Sequence, residues 1–194
     1  MNLYLFFRTL IRTLFILMRW NLQGLEKLPP TGPVILAINH ESLWDPVLVG
    51  CALPRQVFFM AKEQLFHIPG LGWALRNFGT FPVKRGQGDT SAIRNSLSVL
   101  KEGKVLGLFP EGTRAKAGER QKGLPGMVLL MEKSSAPIVP VKVIGGRKLL
   151  TKGWGRISVI IGDPVLSGEI EVPDGVENRR EWIAERIMRK INEL

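Results

Sequence analysis

The amino-acid sequence predicts an α/β fold, in which a single domain with a mainly central β-sheet is flanked by helices and preceded by an amphipathic helix. Three observations support this prediction. Short apolar runs rich in β-branched residues alternate with helix-forming segments, the chain has 194 residues, and 45% of them are hydrophobic. Such a chain can bury one sizeable core. We therefore divide it into an N-terminal helix at residues 1–20 and one domain at residues 21–194.

The strands and helices follow from hydrophobic periodicity and from the turn residues between them. Six apolar runs are predicted to be strands, at residues 34–38, 56–61, 81–84, 105–109, 138–144 and 157–161. Apolar residues at helical spacing, or a capping residue or proline before them, predict helices at residues 46–53, 90–101, 123–133 and 178–193. Residues 169–175 are predicted to form a surface loop.

A histidine and an aspartate follow the first strand, in the run NHESLWDP at residues 39–46. Pro46 suits the first turn of a helix, so Asp45 is expected at the N-cap, close to His40. A neutral imidazole oriented by a carboxylate can accept a proton from a hydroxyl nucleophile near neutral pH. The alternatives are that Asp45 is only a helix cap and that His40 is a structural or surface residue. His67, the other histidine of the chain, is expected to be structural.

A second turn, FPEGTR at residues 109–114, ends the strand at residues 105–109. Pro110 and Gly112 predict a tight turn, and the fork of donors on Arg114 suits a phosphate. The alternative is an ordinary loop with a solvated arginine. Together, the two runs suggest acyl transfer to a phosphorylated alcohol.

With these runs and two others, the chain resembles the glycerolipid acyltransferases, most closely the bacterial lysophosphatidate acyltransferases. The four blocks are NHESLWD, with the family's His-X4-Asp pattern, then FGTFPVKR, FPEGTR and APIVPV, in that order. They begin at residues 39, 78, 109 and 136. Lys84 stands where many relatives carry an acidic residue, and Leu124-Pro125-Gly126 replaces their small residues. These departures leave the reaction class unchanged but weaken any inference about acyl-chain preference.

The resemblance implies transfer of a fatty acyl group from an acyl thioester to the free hydroxyl of lysophosphatidate, giving phosphatidate in phospholipid biosynthesis. It implies His40 and Asp45 as the catalytic residues. Acyl-CoA or acyl-ACP would be the donor, with no cofactor and no metal. The residues it implies for acceptor binding are Lys62, Arg85, Glu111, Gly112, Thr113 and Arg114. For Lys62 a surface role at a strand end stays open, and Glu111 either organises the turn or contacts the acceptor.

The N-terminal 20 residues and the net charge of +10 indicate a membrane partner. Arg8, Arg12 and Arg19 interrupt a largely apolar stretch and fall within roughly 40° of one another on a helix. We expect this helix to lie in the interface of an anionic bilayer, so that the protein is peripheral or monotopic on the cytoplasmic face of the cell membrane. The apolar stretches are shorter than the roughly 20 residues of a spanning helix. A signal peptide and a helix docked on the protein's own core are the alternatives.

Other functions stay open at this point. The acceptor could be another lysolipid or glycerol phosphate, or the chain could be a non-catalytic basic protein that binds anionic lipid or nucleic acid. Nucleic acid is not expected as a partner, because the chain has no recognition module, 8% aromatic residues and scattered basic residues. The single cysteine, Cys51, is expected in the core and excludes an internal disulfide.

Overall fold

A mixed β-sheet forms the centre of the protein in the computed structural model, which describes residues 3–17, 20–84, 90–112, 123–146 and 157–194. Within these residues seven strands pair in the order β1-β7-β6-β2-β5-β3-β4. The strands are β1 (Asn21–Gln23), β2 (Val34–Ile38), β3 (Val57–Lys62), β4 (Phe81–Val83), β5 (Val105–Leu108), β6 (Ile138–Ile144) and β7 (Ser158–Ile161).

Five of these strands, β2 to β6, run parallel, whereas β7 is antiparallel to β6 and parallel to β1. We call the side where the five parallel strands end the carboxyl edge, and the side where they begin the amino edge. All five residues of β2 are fully buried, between Val105 of β5 and Ile138 of β6. Such continuous burial is expected of a parallel strand that is covered on both faces of the sheet.

Helices cover the two faces of the sheet and form two apolar cores. They are α1 (Leu3–Leu17), α2 (Asp45–Ala52), α3 (Leu71–Asn77), α4 (Thr90–Lys101), α5 (Gly126–Ser134) and α6 (Arg179–Glu193). The first core contains α2 and receives Ile11 of α1, and Cys51 is buried there as predicted. The second core lies between the other face of the sheet and α4, α5 and α6, whose stripe of Ile183, Ile187 and Ile191 is buried.

The predicted single α/β domain is confirmed, and the six predicted strands are present within two residues of their expected ends. The helix expected at 123–133 begins only at Gly126, because Pro125 occupies its N-cap. The helix expected from residue 178 has Asn178 as its cap, whose side chain accepts from the N–H of Glu181. Neither β1 nor α3 was predicted, since both are short and α3 follows Pro69-Gly70.

The N-terminal segment forms α1, which packs on α2 and α3. The Tyr4 hydroxyl donates to the carbonyl oxygen of Gly50 at 3.4 Å, and its ring lies 6.1 Å from that of Phe78. The helix thus contacts its own domain on one side. On the outer side, Leu5 and Leu10 are 49% and 56% exposed. Among the described residues, no helix is long and apolar enough to span a bilayer.

Candidate active site

The position of His40 is set by the residue before it, just past the end of β2. The side-chain amide of Asn39 donates to the carbonyl oxygen of Val143 in β6 at 2.9 Å and accepts from its N–H at 2.7 Å. These two bonds continue the pairing of β2 with β6 beyond the last residue of β2. The backbone of His40 therefore leaves the sheet at a fixed position on the carboxyl edge.

His40 and Asp45 form a buried hydrogen-bonded pair. His40 Nδ1 lies 3.0 Å from Asp45 Oδ2, and the two side chains are 11% and 0% exposed. An ionised carboxylate can only accept, so Nδ1 carries the proton and Nε2 keeps its lone pair. The predicted contact between the two residues is confirmed, and its geometry favours the tautomer that a general base needs.

The aspartate also holds the loop that carries the histidine. Oδ2 of Asp45 accepts from the backbone N–H groups of Glu41 and Ser42, both at 2.7 Å. The prediction that Asp45 is the N-cap of α2 is wrong: Trp44 is the N-cap and Asp45 is the first helical residue. The reason is that its carboxylate turns back to the loop instead of binding the N–H groups of the helix. One oxygen thus fixes both the loop and the imidazole.

Gly146, two residues past β6, packs against the other side of this carboxylate. A Cβ at this position would lie 2.6 Å from Asp45 Oδ1 and 3.2 Å from the Cβ of Ser42. A side chain there would displace either the carboxylate or the loop. Gly146 therefore helps to position Asp45, although nothing in its sequence context distinguishes it from an ordinary loop glycine.

Phe109 packs on the imidazole of His40. Their ring centroids lie 4.1 Å apart with the planes at 29°, and Phe59 stacks behind Phe109 at 6.0 Å. Gly107 makes room for this stack, because a Cβ there would lie 2.3 Å from the ring of Phe59. Two aromatic rings and a glycine of β5 therefore restrict the imidazole from the side of the sheet.

The predicted tight turn after β5 is confirmed. The N–H of Gly112 donates to the carbonyl oxygen of Phe109 at 3.0 Å, and Gly112 has φ +68°, in the left-handed region that favours glycine. Glu111 Oε1 accepts from the backbone N–H of His40 at 3.4 Å, across 71 residues of sequence. Burial raises the pKa of the Glu111 carboxyl, and the bond from His40 partly offsets that rise. The turn is thus tied to the segment that carries His40.

The structure brings His40, Asp45, Glu111 and Gly112 together, as the sequence led us to expect. Lys62 is exposed at the end of β3, on the same edge of the sheet. The other three expected residues, Arg85, Thr113 and Arg114, lie outside the described residues. Sequence reasoning assigned no role to three positioning residues of this site, Asn39, Phe109 and Gly146.

An apolar cavity of about 640 Å³ opens beside the site, between α4, α5 and the strands β3, β4 and β5. Phe109 lines this cavity and also packs on His40, so one aromatic ring contacts both the cavity and the imidazole. Its apolar lining residues include Met60, Ile93, Leu124, Met127 and Leu130. A flexible apolar chain, rather than a polar metabolite, suits such a lining.

Comparisons with known proteins identify the family of the chain. Residues 19–144 match the acyltransferase family model. The chain is 32% identical to the 1-acyl-sn-glycerol-3-phosphate acyltransferase of Bacillus subtilis, over 87% of this chain and 84% of that protein. It is also 32% identical to the enzyme of that name from Streptococcus pneumoniae, over 97% and 73% of the two chains.

A solved structure is similar as well. The crystal structure of the 1-acyl-sn-glycerophosphate acyltransferase from Thermotoga maritima superposes with a TM-score of 0.71 at 26% identity, over 97% of this chain and 77% of that chain. The matched family model, the similar sequences and the similar structure point to one conclusion. The chain belongs to the acyltransferase family, together with the 1-acyl-sn-glycerol-3-phosphate acyltransferases that it matches.

Proposed function

We propose that the chain transfers a fatty acyl group from an acyl thioester to the free hydroxyl of 1-acylglycerol 3-phosphate, which gives phosphatidate. The observation that carries the proposal is the buried His40–Asp45 pair, whose imidazole packs on a residue that lines an apolar cavity. The relatives that match most of the chain are named for this acceptor. The pair provides a base, and the cavity provides a place for an acyl chain.

The mechanism needs only one base and one bond exchange. Nε2 of His40 accepts the proton of the acceptor hydroxyl as its oxygen attacks the thioester carbonyl. The imidazolium that forms is stabilised by Asp45 through Nδ1. When the tetrahedral intermediate collapses, the C–S bond breaks, the new C–O ester bond remains, and the imidazolium returns its proton to the departing thiolate. No acyl-enzyme intermediate is required.

The apolar cavity supports a role for this face of the sheet in holding an acyl chain with its carbonyl near His40. Each methylene removed from water contributes about 0.8 kcal/mol, so a chain lying along the cavity gains affinity with its length. The contact of Phe109 with both the cavity and the imidazole links the bound chain to the base. The thiol part of the donor, coenzyme A or acyl carrier protein, would remain outside.

For the acceptor's phosphate we propose Lys62, Arg85, Thr113 and Arg114, with the turn at Gly112. Lys62 ends β3 on the carboxyl edge, Arg85 comes two residues after the last residue of β4, and Arg114 two residues after Gly112. Arginine supplies the paired donors that phosphate accepts. The bond from the His40 N–H supports a role for Glu111 in organising the turn.

We also propose that residues 1–20 form an interfacial membrane helix and residues 21–194 the acyltransferase domain, on the cytoplasmic face of the membrane. The outward exposure of Leu5 and Leu10 supports this, because an exposed apolar helix face suits the acyl boundary of a bilayer. Burial raises the pKa of the Cys51 thiol, and the partly buried Arg8 and Arg12 nearby offset part of that rise, so that the pKa is about 11. At least these two arginines thus lie towards the domain.

The truncation of residues 1–20 tests the role of the helix. We expect weaker binding to anionic liposomes and lower activity on an acceptor presented in a bilayer, while a detergent-dispersed acceptor is still used. Circular dichroism must first show that the truncated protein folds, because α1 packs on α2 and α3. Liposome binding as tight as that of the full chain would reject the anchor.

A product assay tests the reaction itself. Purified protein is given lysophosphatidate, a lysolipid without a terminal phosphate monoester, or glycerol 3-phosphate, each with acyl-CoA and with acyl-ACP. We expect phosphatidate from lysophosphatidate and at least one donor, in preference to the other two acceptors. A preference for glycerol 3-phosphate or for the other lysolipid would assign the chain to a different reaction of the family.

A further inference from the structure

The exposed apolar side chains are concentrated on one edge of the sheet. Ten large apolar side chains are exposed among the described residues, and six of them lie in the connections that follow β2, β3 and β5. We call these six the apolar rim: Leu43, Trp44, Ile68, Leu71, Trp73 and Leu124. Among the described residues, the connections at the carboxyl edge, which carries His40, therefore hold most of the exposed large apolar side chains.

The amino edge shows that this is not a general property of the loops. The segments leading into β2, β3 and β5, at residues 29–33, 53–56 and 101–104, contain none of the ten exposed side chains. Soluble proteins rarely expose large apolar patches, and concentrations of exposed apolar side chains are characteristic of interaction sites.

The densest part of the rim is the segment at residues 68–73, which we call the tip. Ile68, Leu71 and Trp73 are 48%, 41% and 57% exposed within six residues. The backbone of the tip packs tightly on the preceding segment. Gly72 lies so close to Phe66 that a Cβ on Gly72 would be 2.2 Å from the carbonyl oxygen of Phe66. The outward side chains of the tip are thus presented on a packed base.

The charges around the tip select the kind of partner. From residue 64 to residue 77 the chain contains no aspartate or glutamate, whereas Arg76 lies over the ring of Phe66 at 5.4 Å. Isoleucine, leucine and tryptophan beside a cation, with no carboxylate, match the boundary between acyl chains and anionic headgroups. A protein partner of the same apolar character would leave the arginine unmatched.

The tip is also linked to α1. Tyr4 contacts Phe78, the residue that follows α3, and α3 begins within the tip; the neighbouring Leu5 is exposed. One ring contact therefore joins α1 to the segment that carries the tip. A bilayer that contacts the exposed side of α1 can also contact the tip.

We propose that the tip inserts into the interface of a lipid bilayer and, with Leu43 and Trp44, sets the carboxyl edge against the membrane. The surface works in addition to α1 and places the open end of the apolar cavity where lipid chains are. The proposal rests on the proposed function, because only an enzyme with a lipid acceptor has to present this edge to a bilayer.

The test compares Ile68→Ser/Leu71→Ser/Trp73→Ser with Leu166→Ser, a matched control that is 46% exposed outside the rim. Binding is measured by sedimentation with vesicles of phosphatidylcholine and phosphatidylglycerol. Activity is measured on lysophosphatidate presented in a bilayer and on a short-chain, monomeric lysophosphatidate. We expect the tip variant to lose about tenfold or more in vesicle affinity and in bilayer activity, with short-chain activity unchanged. The Leu166→Ser protein should match the wild type in all three.

Vesicle binding of the folded tip variant equal to that of the wild type would overturn the proposal, as would a change in oligomeric state without a change in vesicle binding. A failure of the proposed function can be told apart from a failure of this proposal, because the wild type would then form no phosphatidate from either acceptor. If the triple variant does not fold, brominated lipids should quench more fluorescence in the wild type than in Trp73→Phe. Equal quenching in the two proteins would overturn the proposal.

Discussion

The two edges of the parallel strands carry different kinds of contact. At the amino edge, the guanidinium of Arg55 donates to the backbone carbonyls of Pro29, Gly32 and Gly103, which ties three loops together. At the carboxyl edge, Asp45 at the start of α2 and Phe109 just past β5 both contact the imidazole of His40. One edge is thus held together by hydrogen bonds between loops, whereas the other carries the His40–Asp45 pair beside an apolar cavity, which is where binding and catalytic residues are expected in such a sheet.

If this division is right, variants at the carboxyl edge should lose rate and variants at the amino edge should lose stability. The largest loss in rate among the supporting residues is expected for Asp45→Asn. A carboxamide can present an N–H to Nδ1 and so favour the wrong tautomer, which can cost up to about 10⁴-fold in kcat. Steady-state kinetics measure it, with Asp163→Asn, a surface partner of Lys27, as the matched control. Equal kcat values in the two variants would contradict the assignment.

The next largest effects are expected for the phosphate residues. Arg114→Ala and Arg85→Ala should lower kcat/KM for lysophosphatidate by about tenfold to a hundredfold, because a hydrogen bond to a charged group is worth about 1.5–3 kcal/mol. The KM for the thioester should change much less. Arg114→Lys should recover only part of the loss, since lysine lacks the planar fork. Normal use of lysophosphatidate by both alanine variants would exclude these residues from the phosphate site.

A smaller effect is expected for Gly146→Ala. The Cβ of the new alanine would push on Asp45 Oδ1. We therefore expect kcat to fall by about tenfold, with little change in either KM. This loss is smaller than the about 10²-fold loss of rate that a misplacement of a full ångström can cause. Gly50→Ala is the matched control, because that glycine lies in α2, where nothing would contact a new Cβ. A structural role alone would lower the melting temperature and leave kcat intact.

The smallest effect on rate is expected at the amino edge. Arg55→Ala removes three hydrogen bonds to loop carbonyls and should lower the free energy of unfolding by about 1–2 kcal/mol, a modest value because the guanidinium is partly exposed. Urea denaturation measures this change. At a temperature where the variant is folded, kcat should equal that of the wild type. A large loss of kcat would show that the two edges are not separate in function.

How much of this could be predicted from the sequence differs between the elements and the site. β2 and β6 were predicted with the bounds that they have, because continuous apolar runs between turn residues define buried parallel strands. The contact of His40 with Asp45 was predictable because both lie in one short strand–helix connection. The bonds of Asn39 to Val143 join residues 104 apart in sequence, and no local pattern encodes such a pairing. The same holds for Gly146, whose meaning depends on which carboxylate packs against it.

The turnover number of folded His40→Ala with lysophosphatidate and an acyl thioester tests most directly whether His40 is the general base. His67→Ala serves as the matched control, because His67 is the other histidine of the chain and is exposed. We expect kcat to fall by about 10²–10⁴-fold in His40→Ala, the usual contribution of a general base. We expect no change of kcat in His67→Ala, and His40→Ala should bind vesicles as tightly as the wild type. A kcat within a few-fold of the wild type in the folded His40→Ala protein would contradict the claim that His40 is the base.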